Sequence, residues 1–165
     1  MTIKASVVSE VYLGLGSNLG DKEDHIRKAI TLIGERVGLV VRQSSLVSTE
    51  PWGFESANSF LNAVVCCETT LTPRQVLQTT QQIERDLGKS KRHATIRNKT
   101  TRYHDRPIDI DILLYDDLTI DEPDLKIPHP LMQQREFVMK PLNEITAADG
   151  TATQLQRYEK PKRLS

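Results

Sequence analysis

The sequence predicts an α+β fold: a ferredoxin-like β-α-β-β-α-β sandwich, with an antiparallel sheet, both helices on one face, and extra short elements at the C-terminal end. Three observations carry this expectation. Two segments, one after Asp21 and one after Thr72, place apolar residues at helical spacing. Each is bracketed by extended, β-branched runs. The order of these pieces is strand, helix, strand, strand, helix, strand, with no internal repeat and no low-complexity stretch.

Residues 7–16, VVSEVYLGLG, read as a strand ending in a glycine-rich turn. Asp21 caps the helix that follows, whose inner stripe is Ile26, Ala29, Ile30, Ile33 and Val37. Gly34 and Gly38 weaken its end. Residues 39–49 form one extended run, Glu50-Pro51-Trp52-Gly53 is a loop signal, and residues 59–69 form a second run. Thr72-Pro73-Arg74-Gln75 opens the second helix: Thr72 caps it, Pro73 fits a first turn that needs no N–H, and Gln75 completes a capping box. Val76, Thr80, Ile83 and Leu87 make its inner stripe, and Gly88 stops it. After a basic polar stretch over 89–106, Ile108-Asp109-Ile110-Asp111-Ile112 alternates as a strand does. A hairpin around Asp116-Asp117, a proline-rich loop over 123–130 and a short extended piece at Phe137-Val138-Met139 are expected after it. Residues 1–145 are read as a single domain and the polar, aperiodic residues 146–165 as a C-terminal tail.

A chain of 165 residues is one domain, large enough to bury about two-thirds of its unfolded surface. Its 22 Lys and Arg balance its 22 Asp and Glu, which argues against coating nucleic acid or an anionic membrane through bulk charge. No stretch approaches the roughly 20 apolar residues of a membrane span. The start, MTIKASVVSEVYLG, lacks the apolar region of a secretory signal, so a cytoplasmic location is expected. Cys66 and Cys67 are adjacent, point to opposite faces of a strand and read as ordinary residues of a reducing compartment.

The chemistry points to Asp109 and Asp111. At positions i and i+2 of a strand they share a face, with Cα atoms roughly 6.5–7 Å apart. Two neighbouring carboxylates repel, and a divalent cation held by both resolves the repulsion. A solvated polar face on an edge strand is the competing interpretation. Charge placement weighs on the choice. Residues 89–106 carry seven basic residues against the single acid Asp105, whereas residues 107–124 carry seven acids and no base. A basic loop beside a carboxylate pair suits polyphosphate, although mutual neutralisation of two surface runs would look the same. Gly14-Leu15-Gly16-Ser17-Asn18-Leu19-Gly20 fits neither a dinucleotide fingerprint nor a P-loop and reads as a tight turn. His25, His93, His104 and His129 lack ligand spacing, and no nucleophile elbow is present. Trp52, Phe54, Phe60 and Phe137 are candidate core or stacking rings, and a buried Asn62 would need polar partners that a heterocycle can supply.

Several segments together resemble the 6-hydroxymethyl-7,8-dihydropterin pyrophosphokinases of folate biosynthesis. They are YLGLGSNLGD at 12–21, STEPWG at 48–53, FLNAV at 60–64, QQIERDLG at 81–88, DRPIDIDILLY at 105–115 and IPHPLMQQREFVMKPLNEI at 127–145. The resemblance implies transfer of pyrophosphate from ATP to the pterin hydroxymethyl group, with release of AMP. It implies a catalytic set of Arg106, Asp109 and Asp111, with Asp109 and Asp111 holding two Mg2+ ions. The pterin site it implies comprises Thr49, Pro51, Trp52, Phe60, Asn62 and Phe137, the two phenylalanines enclosing the ring. The ATP site it implies comprises Gln81, Glu84, Arg102, Arg106, Ile112, His129 and Arg135. The chain departs from the family pattern in a longer 89–106 loop, where Tyr103 stands in place of the usual tryptophan and Lys89, Lys91, Arg92 and Arg102 are the basic candidates. Asp124, Lys126 and Pro130 also stand where some relatives place ATP contacts. Partners implied are the two small-molecule substrates, for a monomer without nucleic acid or membrane. Two other classes fit parts of the pattern. A nucleotidyltransferase would pair Ser17 with Asp109, but they are far apart in sequence; an RNA-binding module would need strand aromatics that are missing.

Overall fold

The computed structural model describes residues 7–49, 59–88 and 107–147. Strand β1 spans Ser9–Ser17, helix α1 Lys22–Arg36, strands β2 Leu39–Gln43, β3 Val47–Thr49 and β4 Phe60–Thr69, and helix α2 Pro73–Asp86. Strands β5 Asp109–Tyr115, β6 Ile120–Glu122 and β7 Leu125–Ile127 follow, then a 3-10 turn at Met132–Gln134 and helix α3 at Glu136–Ala147. The main sheet is antiparallel in the order β2-β4-β1-β5, with β3 pairing to β4 beyond the end of β2. This is the ferredoxin-like arrangement expected.

The helix ends form for the reasons their sequences suggest. The Asp21 carboxylate accepts from the Asp24 N–H at 3.1 Å. At α2, the Gln75 N–H donates to Thr72 Oγ1 at 3.1 Å, and the Thr72 N–H donates to Gln75 Oε1 at 2.8 Å. One sheet face packs on both helices: Val11, Leu13 and Leu15, Ala63, Val65 and Cys67, and Ile110 and Ile112 meet Ile26, Ala29, Ile33, Val76 and Ile83. Gly38 allows the α1–β2 turn to press on β4, since a Cβ there would lie 2.1 Å from the Glu68 carbonyl oxygen.

Three elements differ from expectation. The run over 39–49 breaks at Ser44-Ser45: the Ser44 hydroxyl accepts from the Val64 N–H at 3.0 Å, and the Ser45 N–H turns out to the Glu144 carboxylate. The hairpin forms between β6 and β7 rather than around Asp116-Asp117, where a turn with Asp116 at φ 49° ends β5. Phe137-Val138-Met139 is helical, not extended. Met139, Leu142 and Ile145 recur at helical spacing and pack with Tyr12, Val64, Cys66, Leu113 and Leu114 on the second sheet face. Three residues of β-type composition yielded to this longer-range pattern. The fold therefore has three layers, and α3 runs past residue 145 to Ala147.

Candidate active site

Helix α3 packs on part of the second sheet face. Beside it lies a cavity of about 640 Å3, in the range of small-molecule sites. Its floor comes from alternate residues of three strands. Gly14 and Gly16 of β1, Asn62 and Val64 of β4, and Asp109 and Asp111 of β5 all line it. Gly16 pairs with Asn62 on one side and Asp109 on the other. Gly14 likewise separates Val64 from Asp111. Neighbouring strands lie about 4.8 Å apart, so the Asn62 and Asp109 backbones stand about 10 Å apart across a glycine with no side chain to fill the gap.

At the β4 end are Thr49, Phe60 and Asn62. Asn62 is buried, and its Nδ2 donates to Thr49 Oγ1 at 3.2 Å and to the Val47 carbonyl at 3.4 Å. Both amide protons are thus directed at β3, and Oδ1 is turned toward Gly16. On the α3 side are Arg135 and Phe137, with the Arg135 guanidinium 5.7 Å from the Phe137 ring centroid.

At the β5 end, Asp109 and Asp111 are half-buried, while Ile110 and Ile112 turn into the core. The buried Glu84 carboxylate accepts from the Ile110 N–H at 2.7 Å, so α2 grips the outer edge of β5 between the two aspartates. Glu84→Ala strands that N–H. A loss of roughly 1–3 kcal/mol in urea unfolding is expected, and an unchanged midpoint would exclude this role. Leu113 is the extra residue of a bulge against β1, and its carbonyl accepts from the His129 N–H at 3.0 Å. His129 Nδ1 accepts from the Leu131 N–H at 3.2 Å, which leaves Nε2 to carry the proton of the neutral ring. Burial, with Arg135 nearby, pulls the His129 pKa down, against an opposing pull from Asp109.

Of the site residues expected from sequence, Thr49, Phe60, Asn62, Asp109, Asp111, Arg135 and Phe137 line one cavity. Gln81, Glu84, Ile112 and His129 are not among its lining residues. Gln81 is exposed on α2, and the Ile112 side chain packs in the core, so only its main chain can face a ligand. Pro51, Trp52, Arg102 and Arg106, with the other basic candidates of 89–106, lie outside the described residues. The acidic run divides. Asp109 and Asp111 face the cavity, whereas Asp121, Glu122 and Asp124 pair with Lys126 and Arg74 at the β6–β7 hairpin. Asp124 and Lys126 are therefore tied up in ion pairs away from the floor.

The glycine motif is a turn only in its second half: the bend before α1 carries Gly20 at φ 68°, whereas Gly14 and Gly16 lie inside β1 and floor the cavity. Their i, i+2 spacing on a strand was the available signal. Leu131, Gln134 and Glu136 also line the cavity, and nothing local announced them. Both cysteines are buried and neither forms a disulfide, and burial with Cys66 beside it pushes the Cys67 thiol up to about 12, so it is not a thiolate at neutral pH.

The donor set suits a hard cation. Asp109 and Asp111 offer carboxylate oxygens on one face, with no cluster of three or more His, Cys, Asp or Glu among the described residues. A magnesium ion held there would draw its remaining ligands from water and phosphate. No helix among the described residues is long and apolar enough to cross a membrane.

Residues 12–147 match the family model described as 7,8-dihydro-6-hydroxymethylpterin-pyrophosphokinase. A 2-amino-4-hydroxy-6-hydroxymethyldihydropteridine pyrophosphokinase from Porphyromonas gingivalis is 47% identical over 136 residues, spanning 82% of this chain and 89% of the relative. That of Bacillus subtilis is 40% identical over 135 residues, spanning 81% and 76%. The crystal structure of Plasmodium falciparum HPPK-DHPS with SDX-DHP superposes with a TM-score of 0.64 at 16% identity, a likeness of fold. It covers 86% of this chain and 41% of that longer one.

Proposed function

This chain belongs to the 7,8-dihydro-6-hydroxymethylpterin-pyrophosphokinase family, and from that premise we propose that it transfers the pyrophosphoryl group of ATP to the hydroxymethyl group of 6-hydroxymethyl-7,8-dihydropterin. The observation that carries this reading is the cross-strand row Asn62–Gly16–Asp109. It sets an amide and aromatic end about 10 Å from a carboxylate end, the span of a bicyclic ring carrying a reactive arm.

The pterin lies between Phe60 and Phe137, where offset stacking holds its plane. Asn62 Oδ1 accepts from the ring edge, its amide oriented by Thr49 and Val47. Gly16 keeps the space open, since a Cβ there would sit 3.0 Å from that oxygen. Gly16→Ala should therefore push the amide aside and raise the pterin KM by about tenfold, with a much smaller change for ATP. Equal changes for the two substrates would remove Gly16 from the pterin floor. Pro51 and Trp52 complete this end.

Asp109 and Asp111 hold magnesium, which when bound supplies charge neutralisation and a template for the phosphates. Arg135 and Arg106 offset the remaining phosphate charge, Arg106 standing three residues before Asp109. His129 offers a neutral Nε2–H donor on the nucleotide side, and Gln81, Arg102 and the Ile112 main chain complete that side. The pterin hydroxymethyl oxygen attacks the β-phosphorus in line and gives up its proton to solvent, the bond from that phosphorus to the α–β bridging oxygen breaks, and AMP departs with that oxygen. Positioning the two substrates in one geometry supplies most of the acceleration. Residues 1–145 act as a single domain in this reading, supported by cavity walls that come from one sheet with its helix and loops among the described residues.

The test is incubation with ATP, magnesium and 6-hydroxymethyl-7,8-dihydropterin. AMP and a pyrophosphorylated pterin are expected in equal amounts. Release of inorganic pyrophosphate instead would indicate a nucleotidyltransferase.

A further inference from the structure

Lys22 stands at the first position of α1, where a cation opposes the helix dipole. Its neighbours follow the usual rule: Asp21 caps, and Glu23 and Asp24 occupy the first turn. Those two acids pair with Arg27 and Lys28, one turn further on. Lys22 instead reaches across to the start of β4, donating from Nζ to the Ser59 carbonyl at 3.2 Å and to Ser59 Oγ at 3.4 Å.

Ser59 sits where the sheet has run out. The β1–β4 ladder ends at Ser17 with Leu61, and the β3–β4 ladder ends at Thr49 with Phe60. Ser59 lies two residues beyond the first ladder and one beyond the second, immediately before the ring that lines the cavity. Among the described residues, the Lys22 ammonium takes over there from the ladder bonds. A half-buried phenylalanine at a strand end can swing with the backbone that precedes it. Holding the Ser59 carbonyl limits that swing.

We propose that Lys22 is a positioning residue for the pterin, acting through Ser59 to hold the Phe60 ring at its stacking distance. This rests on the reading of Phe60 as a stacking ring, and the test separates the two. Lys22→Met keeps the aliphatic stem and removes the donors. Steady-state kinetics with both substrates, and melting temperature, are compared for the full-length protein, Lys22→Met, Lys22→Arg, Phe60→Ala and the Lys22→Met/Phe60→Ala double variant. Lys22→Met should raise the pterin KM about three- to tenfold. The ATP KM and kcat should move less than about twofold, and Lys22→Arg should restore the pterin KM. In the Phe60→Ala background, Lys22→Met should add nothing, because the ring it holds is gone. If Phe60→Ala weakens pterin binding but Lys22→Met does not, the Lys22 role is overturned and the stacking reading stands. If Phe60→Ala has no effect, the stacking reading falls and takes the Lys22 role with it. Additive effects in the double variant, or equal losses for both substrates with a lower melting temperature, would make Lys22 a structural tie only.

Discussion

Asp109→Ala should lower turnover by about a thousandfold or more while leaving the melting temperature within a few degrees of the parent. The asymmetry follows from its placement. The Asp109 side chain leaves the sheet on the cavity side, and its backbone pairing with Gly16 needs no carboxylate. Removing it also relieves repulsion with Asp111. Turnover has much to lose, because a lone Asp111 cannot hold a divalent cation in one geometry against the phosphates. Steady-state rates across a magnesium titration, with thermal unfolding of the same samples, make the comparison. Near-normal turnover at saturating magnesium would rule out the metal role.

Phe137→Ala should weaken pterin binding by roughly 5- to 150-fold, the range that loss of one stacked ring produces. Phe137 lies in the first turn of α3 but belongs to neither core cluster, whereas Met139, Leu142 and Ile145 anchor the helix without it. The effect should therefore appear in binding rather than stability. Arg135 lies over the same ring, so ATP affinity should slip as well, by no more than about threefold from the lost cation–π contact. Calorimetric titration with each substrate separately reads both. Equal losses would mean that Phe137 supports Arg135 and does not stack on the pterin.

Helix α3 is anchored at points other than Phe137. A Glu144 carboxylate near its far end accepts from the Ser45 N–H and from Ser45 Oγ at 2.9 Å, tying the helix to the break between β2 and β3. That break also carries Val47 and Thr49 to the Asn62 amide. The wall bearing Phe137 and the floor bearing Asn62 thus share an anchor.

Much of this protein is determined locally and can be read without coordinates. The capping box at Thr72, the Asp21 cap, the helical stripes and the alternation of Ile with Asp over 108–112 are each set within a few residues. Strand alternation alone places Asp109 and Asp111 on one face and Ile110 and Ile112 on the other. What it leaves undecided is which face holds the site. Only the tertiary structure decides that, because α1 and α2 pack on one face and α3 packs on part of the other, leaving the cavity beside it. Phe137-Val138-Met139 illustrates the difference: its β-type composition is a weak preference, and burial of Met139, Leu142 and Ile145 against the sheet outweighs it. The glycines of β1 show it again. Their spacing is visible in the sequence, but their use as a cavity floor depends on the register that puts Asn62 and Asp109 on either side of Gly16. The balance of charge divides the same way. The equality of 22 acids and 22 bases is a sum over the whole sequence, whereas the contact of Arg74 with Glu122 and Asp124, while Asp109 and Asp111 face the cavity, is a matter of chain packing between residues distant in sequence. Local propensity acts over a few residues; a binding site is assembled from strands whose neighbours are chosen by the burial of a whole core.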